Sequence, residues 1–216
     1  MIFREQPAGL QLQAYLDAEQ RLAADFPDLS PEEQEEGLFF IWQSPPTVIC
    51  GHNQVIGNEV NLAYCREKGI AVVQRKSGGG AVYSDSGNVM ISFILPRGPV
   101  ETVFARVLNQ MTTFLRTLGL DAERSGRNDI LLGGRKVSGN AFFQSPTASI
   151  VHGTFLFDAD FDALEKALTP PEEKLSRHGV ASVRQRVANL RPLLGPMDVH
   201  TFIQKLKEYF NTTHYV

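Results

Sequence analysis

Between Asp129 and Phe157 the sequence reads as one strand after another. Asp129 to Leu132 is extended, Gly133-Gly134 follows, and Arg135 to Gln144 is extended again. Two glycines between extended runs predict a hairpin. Ser149 to Phe157 is a further strand. The first half shows the same habit: Leu38-Phe39-Phe40-Ile41-Trp42, a turn at Pro45-Pro46, then Thr47-Val48-Ile49-Cys50. Strand pairs joined by short turns, with helices between the groups, predict an α+β layer structure. Regular βαβ alternation does not fit.

The helices follow from apolar spacing. Leu12, Tyr15, Leu16, Leu22, Ala23 and Phe26 share one helical face, and Pro27 ends the run. Ser30-Pro31-Glu32-Glu33 reads as a capped start with proline in the first turn and glutamate three residues after the cap. A helix is predicted from about Val60 to Lys68, closed by Gly69, before a short strand from Ile70 to Gln74. Val89, Ile91, Phe93 and Leu95 have partly apolar neighbours, as in a strand covered on both faces. Val103 through Leu118 forms a long amphipathic helix with Gly119 as its stop. Shorter helices are predicted near Phe161 to Leu168 and Pro171 to His178. A last one starts at about Asp198 and shows Phe202, Ile203, Leu206, Tyr209 and Phe210 on one side.

Composition narrows the function classes. A chain of 216 residues with 43% apolar and 21% charged residues suits one folded domain. No apolar run approaches the roughly 20 residues of a membrane span, and Met1 to Ala14 lacks the apolar stretch of a secretory signal. Two cysteines, Cys50 and Cys65, are too few for a disulfide framework or a four-thiolate metal site. These features predict a cytoplasmic protein that binds neither membrane nor nucleic acid; a net charge of −3 gives no support for the latter. The charge is uneven. Lys174, Arg177, Arg184, Arg186 and Arg191 make the segment 174–197 a +5 stretch on a body of −8. Such a stretch is either a solvated face or a surface for an anionic partner.

Four segments can carry chemistry. In Arg75-Lys76-Ser77-Gly78-Gly79-Gly80-Ala81-Val82-Tyr83, three glycines strip one loop edge of β-carbons, so a ligand can lie against backbone amides. Arg75 and Lys76 add positive charge. A tight turn between strands is the plainer reading, and neither a Walker loop nor a Rossmann fingerprint is present. Ser125-Gly126-Arg127-Asn128-Asp129 can orient hydrated Mg²⁺ and phosphates, or simply form an Asx turn. In Arg135-Lys136-Val137-Ser138-Gly139-Asn140-Ala141, alternation sends Arg135 and Lys136 to opposite faces, so one can enter a cleft while the other stays wet. A cleft lysine supplies a compact charge for a carboxylate becoming an acyl phosphate. In His152-Gly153-Thr154, the histidine is either a base or substrate-orienting group, or a satisfied half-buried side chain. Cys50 and His52 share a face if the strand continues, but no third group is spaced to orient them.

Taken in order, these segments resemble the lipoate–protein ligase A family. Trp42-Gln43, Gly51-His52-Asn53-Gln54 and Ser182-Val183-Arg184-Gln185-Arg186-Val187-Ala188-Asn189-Leu190 match as well, so the resemblance covers about Leu38 to Leu194. Each motif is weak alone; the ordered set is strong. The resemblance implies the catalytic domain shared by biotin and lipoate ligases, a class II synthetase-like fold with a mixed β-sheet and packed helices. It would fill residues 1–216 without the C-terminal accessory domain of larger members. It implies ATP-dependent activation of lipoate to lipoyl-adenylate, with Mg²⁺, then transfer to a lysine of an acceptor domain. The implied acceptors are 2-oxoacid dehydrogenase E2 subunits and the glycine cleavage H protein. A separate accessory protein is a further implied partner, and no bound prosthetic group is expected. By family position Lys136 is catalytic and reaches both acyl carbonyl and phosphate. Arg75 and the Gly80-to-Tyr83 backbone meet nucleotide and adenylate. Asn128 and Asp129 support Mg²⁺-ATP. Ser77, Gly78, Gly79, Ser138, Gly139, Ala141, His152, Gly153 and Thr154 complete the binding set. Arg177, Arg184, Arg186 and Arg191 would steer an acidic acceptor domain. The chain has Ser84-Asp85 where many relatives have His-Asp. Two rivals stand beside this reading. One is an octanoyl or lipoyl transferase, or a transfer-only subunit; the other is a non-catalytic lipoyl-binding adaptor.

Overall fold

The computed structural model describes residues 1–126, 128–168 and 186–213. In chain order the elements are β1 (Ile2–Phe3), α1 (Leu12–Ala24), α2 (Pro31–Glu36), β2 (Leu38–Trp42), β3 (Thr47–Cys50), α3 (Ile56–Glu59), α4 (Leu62–Lys68) and β4 (Ala71–Gln74). Then come β5 (Val82–Ser84), β6 (Asn88–Leu95), α5 (Val100–Thr117), β7 (Ala122–Ser125), β8 (Asp129–Leu132), β9 (Arg135–Gln144), β10 (Ser149–Leu156), α6 (Phe161–Ala167) and α7 (Val199–Thr212).

The strands form two sheets. The larger has the order β1-β2-β6-β10-β9-β8-β7, antiparallel throughout except for the parallel β1–β2 pair. The smaller is β4-β3-β5, with β3–β4 parallel and β3–β5 antiparallel. This is the α+β arrangement that the spacing predicts, with the mixed sheets that the family resemblance implies.

Alternation along β6 divides the core. Val89, Ile91, Phe93 and Leu95 pack with Val107, Met111 and Phe114 of α5 and with Phe202, Leu206 and Phe210 of α7. Each fully buried aromatic of this layer contributes roughly 1.5–3 kcal/mol. Met90 points the other way, into a cluster with Leu12, Tyr15 and Leu16 of α1 and Ile49 of β3. The large sheet therefore has two apolar faces, and the second, toward α1 and the small sheet, is where the cleft lies.

Several local signals hold. Ser30 caps α2 reciprocally with Glu33. Gly133 and Gly134 take φ values of 53° and 75°, the left-handed pair that a two-residue hairpin requires. Others need correction. The helix expected over 60–68 is two helices, because Val60 is extended and bridges to Leu168 while the Asn61 side chain caps α4. Strand β3 stops at Cys50, so the Cys50–His52 pairing fails: Cys50 is buried and His52 exposed. Strands β1, β5 and β7 are too short to show a period of their own. The helix expected at Pro171 to His178 lies outside the described residues. Among the described residues no helix is long and apolar enough to cross a membrane.

Candidate functional site

Register determines which side chains can meet. Residues directly opposite in a sheet share a face. His152 of β10 lies opposite Ser92 of β6 and Ala141 of β9, and Thr154 lies opposite Met90 and Gly139. On β2, Phe40 lies opposite Ser92 and Trp42 opposite Met90. One face of the large sheet thus presents Trp42, Met90, His152, Thr154, Ala141 and Gly139 together. The glycine loop between β4 and β5 covers that face. The resulting cleft encloses about 700 Å³ of empty space, open mouth included. Leu16, Trp42, Ile49, Val82 and Met90 supply apolar wall; Arg75, Asn128, Lys136, Asn140 and His152 supply polar atoms.

Lys136 arrives there through a bulge. Ile130 pairs with Ser138, but the next residue, Leu131, pairs with Lys136, so β9 carries one extra residue, Val137. An extra residue reverses the alternation beyond it. Without it Lys136 would share the α5 side with Asn140; with it Lys136 lines the cleft. Arg135 remains exposed, as alternation predicts. The lysine then lies across Gly139: a Cβ there would sit 2.7 Å from both Lys136 Cε and Nζ. Its ammonium pairs with Asp129 Oδ1 at 2.7 Å, both side chains about one-third exposed. Gly153 is needed for the opposite face. A Cβ there would fall 1.9 Å from Asn140 Oδ1 and 3.2 Å from Met111 Cε. Asn140 in turn is clamped to Asn128: Asn140 Nδ2 donates to Asn128 O, and Asn128 Nδ2 to Asn140 O, each at 3.1 Å.

Arg75 is 7% exposed and holds the glycine loop from inside. Its Nη2 donates to the carbonyls of Gly78 (2.8 Å) and Gly80 (2.9 Å), Nη1 to Ile49 O (3.1 Å), and Nε to Ser77 Oγ (3.0 Å). Burial draws the guanidinium below its ordinary value, with nearby Cys50 and Glu19 opposing. Ser77 Oγ also meets His152 Nε2 at 2.8 Å, and His152 Nδ1 faces the Glu19 carboxylate at 3.0 and 3.1 Å. Glu19 is itself buried and accepts from Ser92 Oγ at 2.6 Å; Trp42 Nε1 donates to that hydroxyl at 2.9 Å.

The structure brings Arg75, Gly79, Gly80, Ala81, Val82, Asn128, Lys136, Gly139, Ala141, His152, Gly153 and Thr154 to the cleft wall. Ser77 is buried behind the loop, and Gly78 is exposed on it. Tyr83 points away, into the cluster of Val48, Cys50 and Leu164, because β5 alternates. Asp129 stands beside Lys136, and buried Ser138 bonds Asn140. Ser84 is buried against Ser44 and Met90. Arg177 and Arg184 lie outside the described residues. Arg186 is exposed, and Arg191, also exposed, pairs with Asp158. Sequence reasoning missed Glu19, Met90 and Ser92, and named Trp42 and Asn140 within motifs without giving them a role. A signal for Glu19 existed: it stands three and four residues from Leu16, Tyr15, Leu22 and Ala23, a carboxylate inside an apolar stripe.

A metal held by protein alone does not fit: among the described residues no three His, Cys, Asp or Glu side chains gather to hold an ion. One carboxylate such as Asp129 suffices for Mg²⁺ that arrives with its own phosphate and water ligands.

Comparison with known proteins follows this geometry. The family model for the lipoyl protein ligase A/B catalytic domain matches residues 13–211. The lipoate-protein ligase LplJ of Bacillus subtilis is 42% identical over 187 residues, covering 85% of this chain and 56% of that protein. A probable lipoate-protein ligase A of Mycoplasma pneumoniae is 35% identical over 184 residues, covering 84% and 54%. The chain therefore spans about half the length of these curated relatives. Among solved structures, the bi-partite lipoate protein ligase of Thermoplasma acidophilum, described with its E2 lipoyl domain, superposes with a TM-score of 0.80. It is 25% identical, with 97% of this chain and 81% of that one covered. Plasmodium falciparum LipL1 in complex with lipoate gives 0.78 at 27% identity, with 98% and 61% covered. With the motifs on one cleft and these matches across it, the chain belongs to the lipoyl protein ligase A/B catalytic domain family.

Proposed function

We propose that this chain is the catalytic part of a lipoate–protein ligase. The carboxylate of lipoate attacks the α-phosphate of Mg²⁺-ATP, giving lipoyl-adenylate and pyrophosphate. The ε-amine of an acceptor lysine then attacks the acyl carbonyl, forming the amide and releasing AMP. The observation that carries this reading is Lys136. A bulge turns it into a cleft that has apolar walls and is covered by a glycine loop. Two anions must meet for activation, and a fixed ammonium offsets their repulsion and the charge that develops between them. Leu16, Trp42, Ile49 and Met90 form a wall suited to an acyl chain. Asp129, which pairs with Lys136, would hold Mg²⁺ that comes with ATP, and the ion would supply charge to offset that of the phosphates.

The acyl-enzyme alternative needs a reactive thiolate. Cys50 and Cys65 are buried in the cluster beneath the small sheet, and neither lines the cleft. Burial pushes both thiols up, away from the thiolate. A pure adaptor has no need of the bulge and the glycine that clears the path of Lys136.

Lipoyl domains of E2 subunits and the H protein are the proposed acceptors, and the cytoplasm the proposed site. Arg186 and Arg191 are exposed; if they steer an acidic acceptor domain, ligation should slow as salt rises. A salt-independent rate removes these arginines from docking. The test of function is pyrophosphate release from lipoate and Mg²⁺-ATP, with and without a candidate accessory protein. Release requiring both substrates supports the ligase. Acyl transfer from a carrier thioester, lost on replacing a cysteine, would replace it with the transferase.

A further inference from the structure

We propose that Glu19 is a positioning residue for the glycine loop, acting through the tautomer of His152. This rests on the ligase reading for its kinetic consequence, though the hydrogen bonds stand independently. A carboxylate only accepts, so the His152 Nδ1 that faces it carries a proton. With the ring neutral, Nε2 is then an acceptor and takes the proton of Ser77 Oγ. Arg75 Nε can only donate, and it donates to the same hydroxyl. Ser77 therefore accepts once and donates once. The other end is equally fixed: Trp42 Nε1 donates to Ser92 Oγ, which donates to Glu19. Every proton in the chain has one direction, set by a carboxylate that is 2% exposed.

The chain ends on the loop. Ser77 orients Arg75, and Arg75 Nη2 ties the Gly78 and Gly80 carbonyls together. A reversed His152 would present Nε2–H to Ser77. That hydroxyl, with two donors already aimed at it, would have to turn its own proton elsewhere in a site that is 1% exposed. The loop edge that meets the ligand would shift with it.

Glu19→Gln keeps the size and offers an amide that donates to Nδ1 as readily as it accepts, so the tautomer is no longer fixed. Two-bond ¹H–¹⁵N spectra of ¹⁵N-histidine protein should show His152 as Nδ1–H in the parent and as a mixture, or Nε2–H, in the variant. Its kcat for lipoyl-adenylate formation should fall about 10- to 100-fold, as for a misplaced binding element, with the KM for the acceptor domain unchanged. Phe210→Leu, behind the sheet, should lower Tm while leaving tautomer and kcat alone, which separates positioning from stability. Nε2–H in the parent, an unchanged tautomer in Glu19→Gln, or a shifted tautomer with unaltered kcat would each overturn the proposal. If the parent forms no adenylate, the ligase reading fails, while the spectra still decide whether Glu19 sets the tautomer.

Discussion

The cleft has two halves built on opposite principles. The β8–β9 hairpin delivers Lys136 by local means: Gly133-Gly134 makes the turn, Val137 makes the bulge, and Gly139 clears the path. All of these stand within a few residues of one another. The glycine loop is held by partners from across the chain. Glu19 and His152 are 133 residues apart, Ser77 and His152 are 75 apart, and Trp42 and Ser92 are 50 apart. The hairpin's part of the site depends on contacts within one short stretch of chain. The loop's brace depends on contacts from α1, β6 and β10. The Lys136 charge thus sits on a strand, and the glycine loop that covers the cleft is braced by a polar network.

This contrast can be broken from either side. The largest effect belongs to Lys136→Met, which should cut adenylate formation by about 10²–10³-fold with the fold intact; the readout is single-turnover pyrophosphate release. Gly139→Ala should come next. Its Cβ would occupy the space of Lys136 Cε and Nζ, atoms at the free end of a flexible chain, so the lysine yields and the backbone does not. We expect roughly a tenfold or greater loss of kcat with Tm nearly unchanged; a full-rate variant would show that Lys136 need not lie across the strand. Gly153→Ala reverses the balance. Its Cβ meets Asn140 and Met111 in the packed interior, an overpacking worth about 1–3 kcal/mol, measurable as a lowered Tm in thermal melts. The smallest effect is expected from Cys50→Ala and Cys65→Ala. Because burial raises both thiols, the thiolate fraction at neutral pH is reduced below that of a free cysteine. Alkylation should be slow until the pH rises or the protein unfolds, and acyl transfer should continue in both variants.

The same contrast explains what could be read from the sequence. The hairpin strands, the turn glycines and the capping box of α2 depend on neighbours in the chain, and their bounds emerge from residue order alone. The ordered motifs likewise identify the family. The bulge was not legible, because Arg135 to Gln144 has no marker at Val137; it is visible only in the pairing with β8. Glu19 and Ser92 left fainter traces: a carboxylate in the apolar stripe of α1, and one hydroxyl within Val89-Met90-Ile91-Ser92-Phe93-Ile94-Leu95. Each reads as an exception until the sheet register brings them together. The helix expected over 60–68 failed for a related reason: Val60 is drawn into a bridge with Leu168, far along the chain.

In the proposed reaction Lys136, placed by the bulge, drives ATP-dependent attachment of lipoate to an acceptor lysine. Its most direct measurement is the mass of an apo lipoyl domain after incubation with this protein, lipoate and Mg²⁺-ATP, repeated with preformed lipoyl-adenylate. The account predicts a gain of one lipoyl group with the parent protein and its loss with Lys136→Met. An acceptor left unmodified under both conditions, or modified equally well by Lys136→Met, would contradict it.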